Sequence, residues 1–464
     1  MNIFAMPTPR LTAIPYLPDS SHWYRRIRHL PHPVWLDSGY PQSRYGRYDI
    51  IAAAPALLLE TRADRTQIFQ GSTMLAQSAA NPFALLEEHL PVASPPALDL
   101  PFCGGAIGFF SYDLARRLEA LPATSTQDID LPEMRVGIYH WAIVQDHEQA
   151  RAWLVELDNA EAPNEITAET VFHDLKKNIK SSDNSFSISR IESNLKAEEY
   201  ANAFARIQAY LHAGDCYQVN FAQRFSADYE GDPFTAYLAL RAALPSPFSA
   251  FMESDRQAIL SLSPERFLRV NQAIAETEPI KGTIARGPDP VSDQRQAEVL
   301  QESLKDRAEN LMIVDLLRND LSKSCTDVQV PALFQLQSFA NVHHLVSKIC
   351  ARLKPGVNPL RILQDCFPGG SITGAPKIRA MEIIEELEPT RRSIYCGSLG
   401  YISADGKMDT NIAIRTLACD GSRIHCWGGG GIVADSEVEK EYQESITKVK
   451  VLLETLTTRF GKSD

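Results

Sequence analysis

The sequence predicts an α+β protein, and three observations carry that prediction. The chain is 464 residues long, with 44% hydrophobic and 22% charged residues. That is ordinary globular composition with enough apolar material for a large core, and it excludes a disordered or fibrous protein. Amphipathic helical periods and alternating strand patterns both recur along it. The strand-rich blocks are separated by helices without regular βαβ alternation, which disfavours a doubly wound sheet.

Taken in order, the first half is heavily punctuated. Pro91, Pro95, Pro96 and Pro101 bracket a loop that runs into Gly104–Phe110. Residues 137–144 and 152–157 read as strands. The polar run 180–185 is the best linker, dividing the chain into 1–185 and 186–464. Residues 197–212 then form a predicted helix ended by Gly214, with Tyr200, Phe204, Ile207 and Leu211 on one face. Residues 216–225 alternate like a strand. Further strands are expected at 248–253, 257–262, 266–270, 273–277, 394–402 and 411–418. Long helices are expected over 295–321, over 376–388 from Pro376, and over 437–458.

Charge and targeting signals narrow the function. With 46 Lys and Arg against 58 Asp and Glu, the net charge is −12. A broad basic surface for nucleic acid is not expected, and an anionic substrate needs a local cationic pocket. No apolar run reaches the roughly 18–20 residues of a membrane span. The N-terminus lacks the pattern of a secretory signal, so a cytoplasmic protein is expected. Eight cysteines without a CxxC pair read as reduced, buried thiols.

Several motifs could carry chemistry. Gly369–Lys377 lacks the Gly-Lys-Ser/Thr ending of a P-loop, and Trp427–Val433 lacks the third glycine of a dinucleotide fingerprint. Each remains either a structural turn or a loop whose exposed amides bind a carboxylate. On the last helix Glu441, Glu444 and Lys448 fall on one face, beside a stripe of Val438, Tyr442, Val449, Leu453 and Leu456 expected to face the core. Paired carboxylates at that spacing suit one hard cation such as Mg²⁺, or form a solvated face. Glu302 and Glu309 share a face of the 295–321 helix, and Glu309 is the candidate third carboxylate. Lys281, between Pro279 and Gly282, is either a nucleophile or a surface lysine. Glu265 is either a general acid/base or the partner of Arg266. His343-His344 is too short to be a metal motif.

Six fragments occur together in one order: Asp306–Asp320, Gly370–Lys377, Gly397–Tyr401, Asp409–Thr416, Gly429–Asp435 and Glu441–Glu444. In these the chain closely resembles the chorismate-utilising enzymes over about residues 190–455, with looser matches at 38–40, 47–50 and 104–112. The resemblance implies two antiparallel sheets packed face to face between helical layers. Gln218 stands where members that add water carry a lysine base. Lys281 stands where the anthranilate-forming branch has alanine, and marks the folate-pathway branch that makes 4-amino-4-deoxychorismate.

The same resemblance implies an aminotransferase-type mechanism in 4-aminobenzoate synthesis, with Lys281 as nucleophile at C2 and Glu265 as general acid/base. Mg²⁺ would be held by Glu309, Glu441 and Glu444. Gly282, His344, Thr373 and Gly429 would position the ring, while Tyr395, Arg415 and Lys448 would grip the enolpyruvyl carboxylate. Ammonia would come from a separate glutaminase subunit, since no amidotransferase segment is visible. Some members hold tryptophan between the sheets. Ser38, Tyr45, Arg47, Pro247 and Phe248 match that pocket, and Gly46 stands where serine is common. The competing readings are amination at C2, giving anthranilate, and a non-catalytic scaffold that has kept the fold.

Overall fold

The computed structural model describes residues 6–41, 43, 46–157, 185–338 and 342–462. Tyr45 and most of the polar 180–185 run lie outside these residues. Among them the strands form two sheets, of thirteen and twelve strands, with every pairing antiparallel.

In the first sheet the order runs from Arg10–Ile14 through Val34–Asp37, Phe248–Ser254, Gln257–Ser263, Thr416–Cys419, Arg423–Ile432 and Gln218–Gly231 to Phe186–Ile188. The second runs from Ile280–Ala285 through Val342–Leu353, Arg266–Asn271, Met408–Asn411, Ser398–Ser403 and Gly105–Phe110 to Thr73–Ser78. Both sheets therefore draw strands from either side of residue 185.

The two-residue period of a strand explains the face-to-face packing. Along the first sheet Val34, Ile50, Ala250 and Met252 enter a core shared with Leu59, Ile107 and Leu268 of the second sheet. Their immediate neighbours Trp35, Ile51 and Phe251 point the other way. There they meet the helices Ser21–Ile27, Pro233–Ala243 and Lys450–Phe460, with Tyr24 and Trp35 stacked at 5.9 Å. On the far side of the second sheet, Leu304–Ser324 lies against Val342–Leu353 and brings in Ile313, Val314 and Leu317.

Several expected boundaries move, each for a local reason. The 295–321 helix is two helices, Pro290–Glu302 and Leu304–Ser324. Ser303 leaves helical conformation between them, and its side chain accepts the Asp306 amide to cap the second. Glu302 and Glu309 therefore do not share a helix. The last helix is likewise broken into Val438–Thr447 and Lys450–Phe460. The expected stripe survives except at its start: Val449 and Leu456 are buried together with Leu452, Tyr442 and Leu453 are half-buried against the core, and Val438 is exposed. The helix after Pro376 spans Lys377–Leu387, with Pro376 as its N-cap. The 394–402 and 411–418 runs contract to Ser398–Ser403, Met408–Asn411 and Thr416–Cys419. All eight cysteines are free thiols, and all but Cys350 are buried.

Candidate active site

Lys281 sits on Ile280–Ala285, the edge strand beside Val342–Leu353. The ladder slips between Lys281 and Thr283, where Gly282 adopts φ +79°. A Cβ there would also meet Asp306 at 3.0 Å, so glycine allows both the bulge and the close approach of the 304–324 helix. The bulge re-aims the strand. Lys281 Nζ donates to the Ser371 carbonyl at 3.1 Å and lies 3.4 Å from Glu309 Oε1.

Glu265, 6% exposed, accepts a hydrogen bond from Ser371 Oγ at 3.1 Å. Burial raises its pKa above the usual carboxylate range, against the opposing pull of Lys281, the Ser371 hydroxyl, the Ile280 amide and Lys448. It is not the partner of Arg266, which pairs with Asp409 at 2.9 Å and Glu278 at 3.3 Å on the other side of the strand. A carboxyl inclined to hold its proton beside a lysine is suited to move a proton.

The sequence of Trp427–Val433, with glycines at 428–431, suggests a turn or an anion-binding loop. It is instead the inner part of the Arg423–Ile432 strand, hydrogen-bonded along Gln218–Gly231. Its glycines allow close packing. A Cβ on Gly428 would come within 2.0 Å of the Ser445 carbonyl oxygen, so the Val438–Thr447 helix rests on bare backbone. A Cβ on Gly430 would lie 3.2 Å from Glu441 Oε2, 3.5 Å from Glu444 Oε1 and 3.6 Å from Lys448 Nζ. One on Gly431 would be 3.0 Å from Glu309 Oε1. The two glycines thus floor a cradle edged by three carboxylates.

Each carboxylate already has a cation beside it. Lys281 serves Glu309, Lys448 serves Glu444 at 2.7 Å, and Lys305 is 4.0 Å from Glu441. Burial raises the Glu441 pKa, with Glu444 adding to the effect against Ser436 and the lysines. For Glu444 burial also acts upward, but Lys448, Lys305 and Lys281 outweigh it and the net shift is down. No three His, Cys, Asp or Glu side chains among the described residues close into a ready-made metal set. The hard oxygen donors and the open floor nonetheless fit a magnesium ion that keeps waters or substrate oxygens in its shell.

The remaining predicted residues come from several elements, among them His344 from Val342–Leu353 and Lys448 from the end of Val438–Thr447. Lys448 also donates to the Gly429 carbonyl at 3.0 Å. His344 Nδ1 meets Thr283 Oγ1 at 2.8 Å, and burial, helped by the charge of Arg415, lowers its pKa to about 4. The imidazole is therefore neutral at neutral pH. Thr373 is buried, its hydroxyl donating to the Gly369 carbonyl at 3.1 Å. Tyr395 stacks on Trp427 at 6.0 Å, and burial holds its hydroxyl well above the usual tyrosine range. Arg415 takes φ +49°, a conformation rare outside glycine. Burial lowers its pKa, with Glu265 acting the other way. Its guanidinium has no hydrogen-bond or ion-pair partner among the described residues, which suits it to receive an anion.

This constellation can bind a dianion, place an amine against it and move a proton nearby. The match of the chorismate binding enzyme model to residues 31–454 decides the family. The chain belongs to the chorismate binding enzymes. It is 46% identical to aminodeoxychorismate synthase component 1 of Salmonella typhimurium strain LT2, covering 97% of this chain and 98% of that one. To anthranilate synthase component 1 of Bacillus subtilis strain 168 it is 36% identical, covering 78% and 74%. The anthranilate synthase component I structure from Streptococcus pneumoniae superposes with a TM-score of 0.77 at 30% identity, covering 89% and 93%. Family membership thus extends well into the first half, where only short matches were visible in the sequence.

Three features of this chorismate binding enzyme were missed from sequence. Gln218 Nε2 donates to Glu309 Oε1 at 2.9 Å, pinning the carboxylate to the floor strand. Ser371 joins Lys281 to Glu265. Arg392, fully buried, pairs with Glu388 at 2.6 Å and donates to the carbonyls of Ile372 and Asn220. The i, i+4 spacing of Glu388 and Arg392 was the only available signal for the last.

Away from Lys281, a pocket of about 390 Å³ opens between the two sheets. Ser38, Gly46, Arg47, Pro247 and Phe248 all line it, while Tyr45 lies outside the described residues. Ser38 Oγ and Asn271 Oδ1, both from lining residues, are buried without a hydrogen-bond partner. A Cβ on Gly46 would fall 1.9 Å from the Ser38 carbonyl oxygen, so serine cannot stand at 46 in this loop conformation.

Proposed function

We propose that the chain is the chorismate-aminating component of an aminodeoxychorismate synthase, acting in the cytoplasm on the route to 4-aminobenzoate and folate. The observation that carries this reading is Lys281. Its amine is placed beside the acid/base Glu265 and at the edge of a cradle of carboxylates. The 46% identity to the aminodeoxychorismate synthase component 1 of Salmonella typhimurium supports it. Arg415 and Lys448 answer the global charge of −12 with a local cationic patch for a dianionic substrate.

In the first half-reaction the Lys281 ammonium gives up a proton to solvent, and the freed amine forms a bond to C2 of chorismate. The ring double bonds shift and the C4–O bond breaks, with Glu265 giving its proton so that water leaves. In the second, ammonia bonds to C4, the double bonds shift back, and the C2–N bond breaks to release Lys281. The Glu265 carboxylate takes the proton that ammonia sheds. Two displacements replace one difficult substitution, which is the advantage of a covalent intermediate. Glu309, Glu441 and Glu444 would hold Mg²⁺, which when bound offsets the charge of the ring carboxylate and fixes its orientation. Neutral His344, Thr373 and the main chain at Gly282 and Gly429 position the ring, and Arg415, Tyr395 and Lys448 bind the enolpyruvyl carboxylate. A glutaminase subunit supplies ammonia, in keeping with the "component 1" of the relative's name.

The test is incubation with chorismate, MgCl₂ and an ammonium salt, followed by chromatography with mass detection. 4-Amino-4-deoxychorismate is expected. Anthranilate as the main product would transfer the chain to C2 amination, and unchanged chorismate with the glutaminase present would favour a scaffold.

We also infer that the inter-sheet pocket takes tryptophan. Its volume suits an aromatic amino acid, and Ser38 Oγ and Asn271 Oδ1 offer unsatisfied polar contacts to an amino-acid backbone. Amino-acid analysis of the denatured supernatant of purified protein should find tryptophan near one equivalent. A Phe248→Ala variant should retain less.

A further inference from the structure

Ser371 makes two contacts that no other described residue combines. Its hydroxyl donates to Glu265 Oε1 at 3.1 Å, and its main-chain carbonyl accepts from Lys281 Nζ at 3.1 Å. The groups that act as nucleophile and as acid/base are thus held by the two ends of one residue. We propose that Ser371 is a positioning residue that fixes Lys281 and Glu265 relative to each other for the two displacements. This rests on the reading of the reaction given above.

Ser371 can do this because its own place is overdetermined. It is the middle residue of the single turn Gly370–Ile372. On one side, Cβ atoms at Gly369 and Gly370 would stand 2.6 Å from Ile412 Cδ1 and 2.3 Å from Leu316 Cδ2, so the turn is wedged between a strand end and the 304–324 helix. On the other, the Ile372 carbonyl is gripped by Asn220 Nδ2 at 2.8 Å and Arg392 Nη1 at 3.0 Å, and the Asn220 amide donates to the Thr373 carbonyl at 2.9 Å. A side chain carried on so rigid a turn loses little freedom when it aims its partner, which is the requirement for preorganised geometry.

The two contacts act on different atoms. The carbonyl engages one N–H of Lys281 and so limits the directions in which the lone pair of the neutral amine can point. The hydroxyl holds Oε1 of Glu265 and leaves Oε2 to exchange the proton with the C4 substituent. A donated hydrogen bond favours the ionised carboxyl, so removing the hydroxyl moves Glu265 titration upward in pH. The other charged or titratable groups facing Glu265 are Lys281 on its strand, Lys448 after the 438–447 helix, Arg415 ahead of Thr416 and Cys396 in the turn before Ser398. None is altered by the substitution.

The experiment compares wild type, Ser371→Ala and Ser371→Cys, the last keeping the volume while weakening the donor. Expected are a fall in kcat of about 10–100-fold in Ser371→Ala, with KM for chorismate within roughly threefold of wild type. A smaller loss is expected in Ser371→Cys, with melting temperatures close to wild type. Independently of turnover, the Glu265 carboxyl band, isolated by infrared difference against Glu265→Gln, should titrate roughly one pH unit higher in Ser371→Ala. Unchanged kcat, a loss confined to KM, or an unmoved Glu265 titration would each overturn the proposal. If Ser371→Ala does not fold, the Ser371→Cys titration decides. If the wild type makes no aminated product, the reading of the reaction fails, while the infrared titration still judges the Ser371 contact.

Discussion

Lys281 Nζ lies 3.4 Å from Glu309 Oε1, so the proposed nucleophile is also the counter-charge of a proposed metal ligand. Position and charge are therefore entangled at this residue, and two substitutions separate them. Lys281→Ala removes both. Lys281→Arg keeps a cation but offers no amine that can be freed of its proton near neutral pH. If the amine forms a bond to C2, both variants lose at least about 100-fold in product formation. Recovery in Lys281→Arg to within tenfold of wild type, followed by mass detection, would reduce the lysine to an electrostatic role.

The carboxylate cradle predicts a graded magnesium requirement. Glu444→Gln removes one oxygen anion while leaving Glu309 and Glu441, and should raise the MgCl₂ concentration for half-maximal activity by at least about tenfold. Glu441→Gln should do the same. Activity in EDTA-treated protein titrated with MgCl₂ measures this, and calorimetric titration of magnesium into each variant with chorismate present provides a second reading.

Neighbouring glycines of the floor strand should fail in different ways. Gly428→Ala drives a methyl group into the Ser445 carbonyl, a backbone atom that cannot step aside. It should cost about 1–3 kcal/mol or more in urea unfolding. Gly430→Ala meets only the ends of flexible side chains at 3.2 Å and beyond. It should fold nearly as well as wild type while weakening magnesium-dependent activity.

Arg415 carries an unmet charge on a left-handed backbone. Arg415→Leu should raise KM for chorismate by at least about tenfold, as a lost charge-assisted contact does. It should leave the melting temperature unchanged or higher, because a desolvated cation without a partner is removed. A marked drop in melting temperature would mean that the guanidinium serves the fold.

His344 ties stability to pH. Its pKa is about 4 in the folded protein against 6.5 for the free side chain, chiefly through burial. Between those values the unfolded chain binds more protons, so folding stability rises with pH through that window. The contribution is complete above about pH 6.5 and is lost as pH falls toward 4, a change of up to about 3 kcal/mol. Urea unfolding of wild type at pH 7 and pH 4.5 should differ by more than that of His344→Gln.

Much of this was legible in the sequence, and the failures have physical causes. The helix ended by Gly214 and the strands over 248–253 and 257–262 are plain in the bare sequence, whereas Val34-Trp35 and Ile50-Ile51 are apolar on both faces and offer no alternation to read. Helix breaks at Ser303 and Lys448 were not visible, because a serine cap and a single turn leave the apolar period nearly intact. The glycine run was misjudged for a related reason. Glycine weakens a strand locally, yet here the approach of a helix to within van der Waals reach of the ladder makes it necessary. Glu265 and Arg266 illustrate the limit of neighbour reasoning: adjacent residues of an extended chain point apart, so opposite charges at i and i+1 are poor evidence for a pair. Ser371 could not have been singled out, since half of its role belongs to a carbonyl that every residue has.

The interleaving of both halves in each sheet has a consequence for how the protein is made. Val34–Asp37 lies between Tyr48–Ala52 and Phe248–Ser254, so one edge of an early-synthesised strand has no mate until more than two hundred further residues have left the ribosome. At about 5–20 residues per second that interval is on the order of 10–40 s. Throughout it, the nascent chain exposes an apolar strand edge open to the wrong neighbour. Synthesis of this chain is therefore a period of guarded incompleteness, in which the first half waits for the second before either has a finished surface.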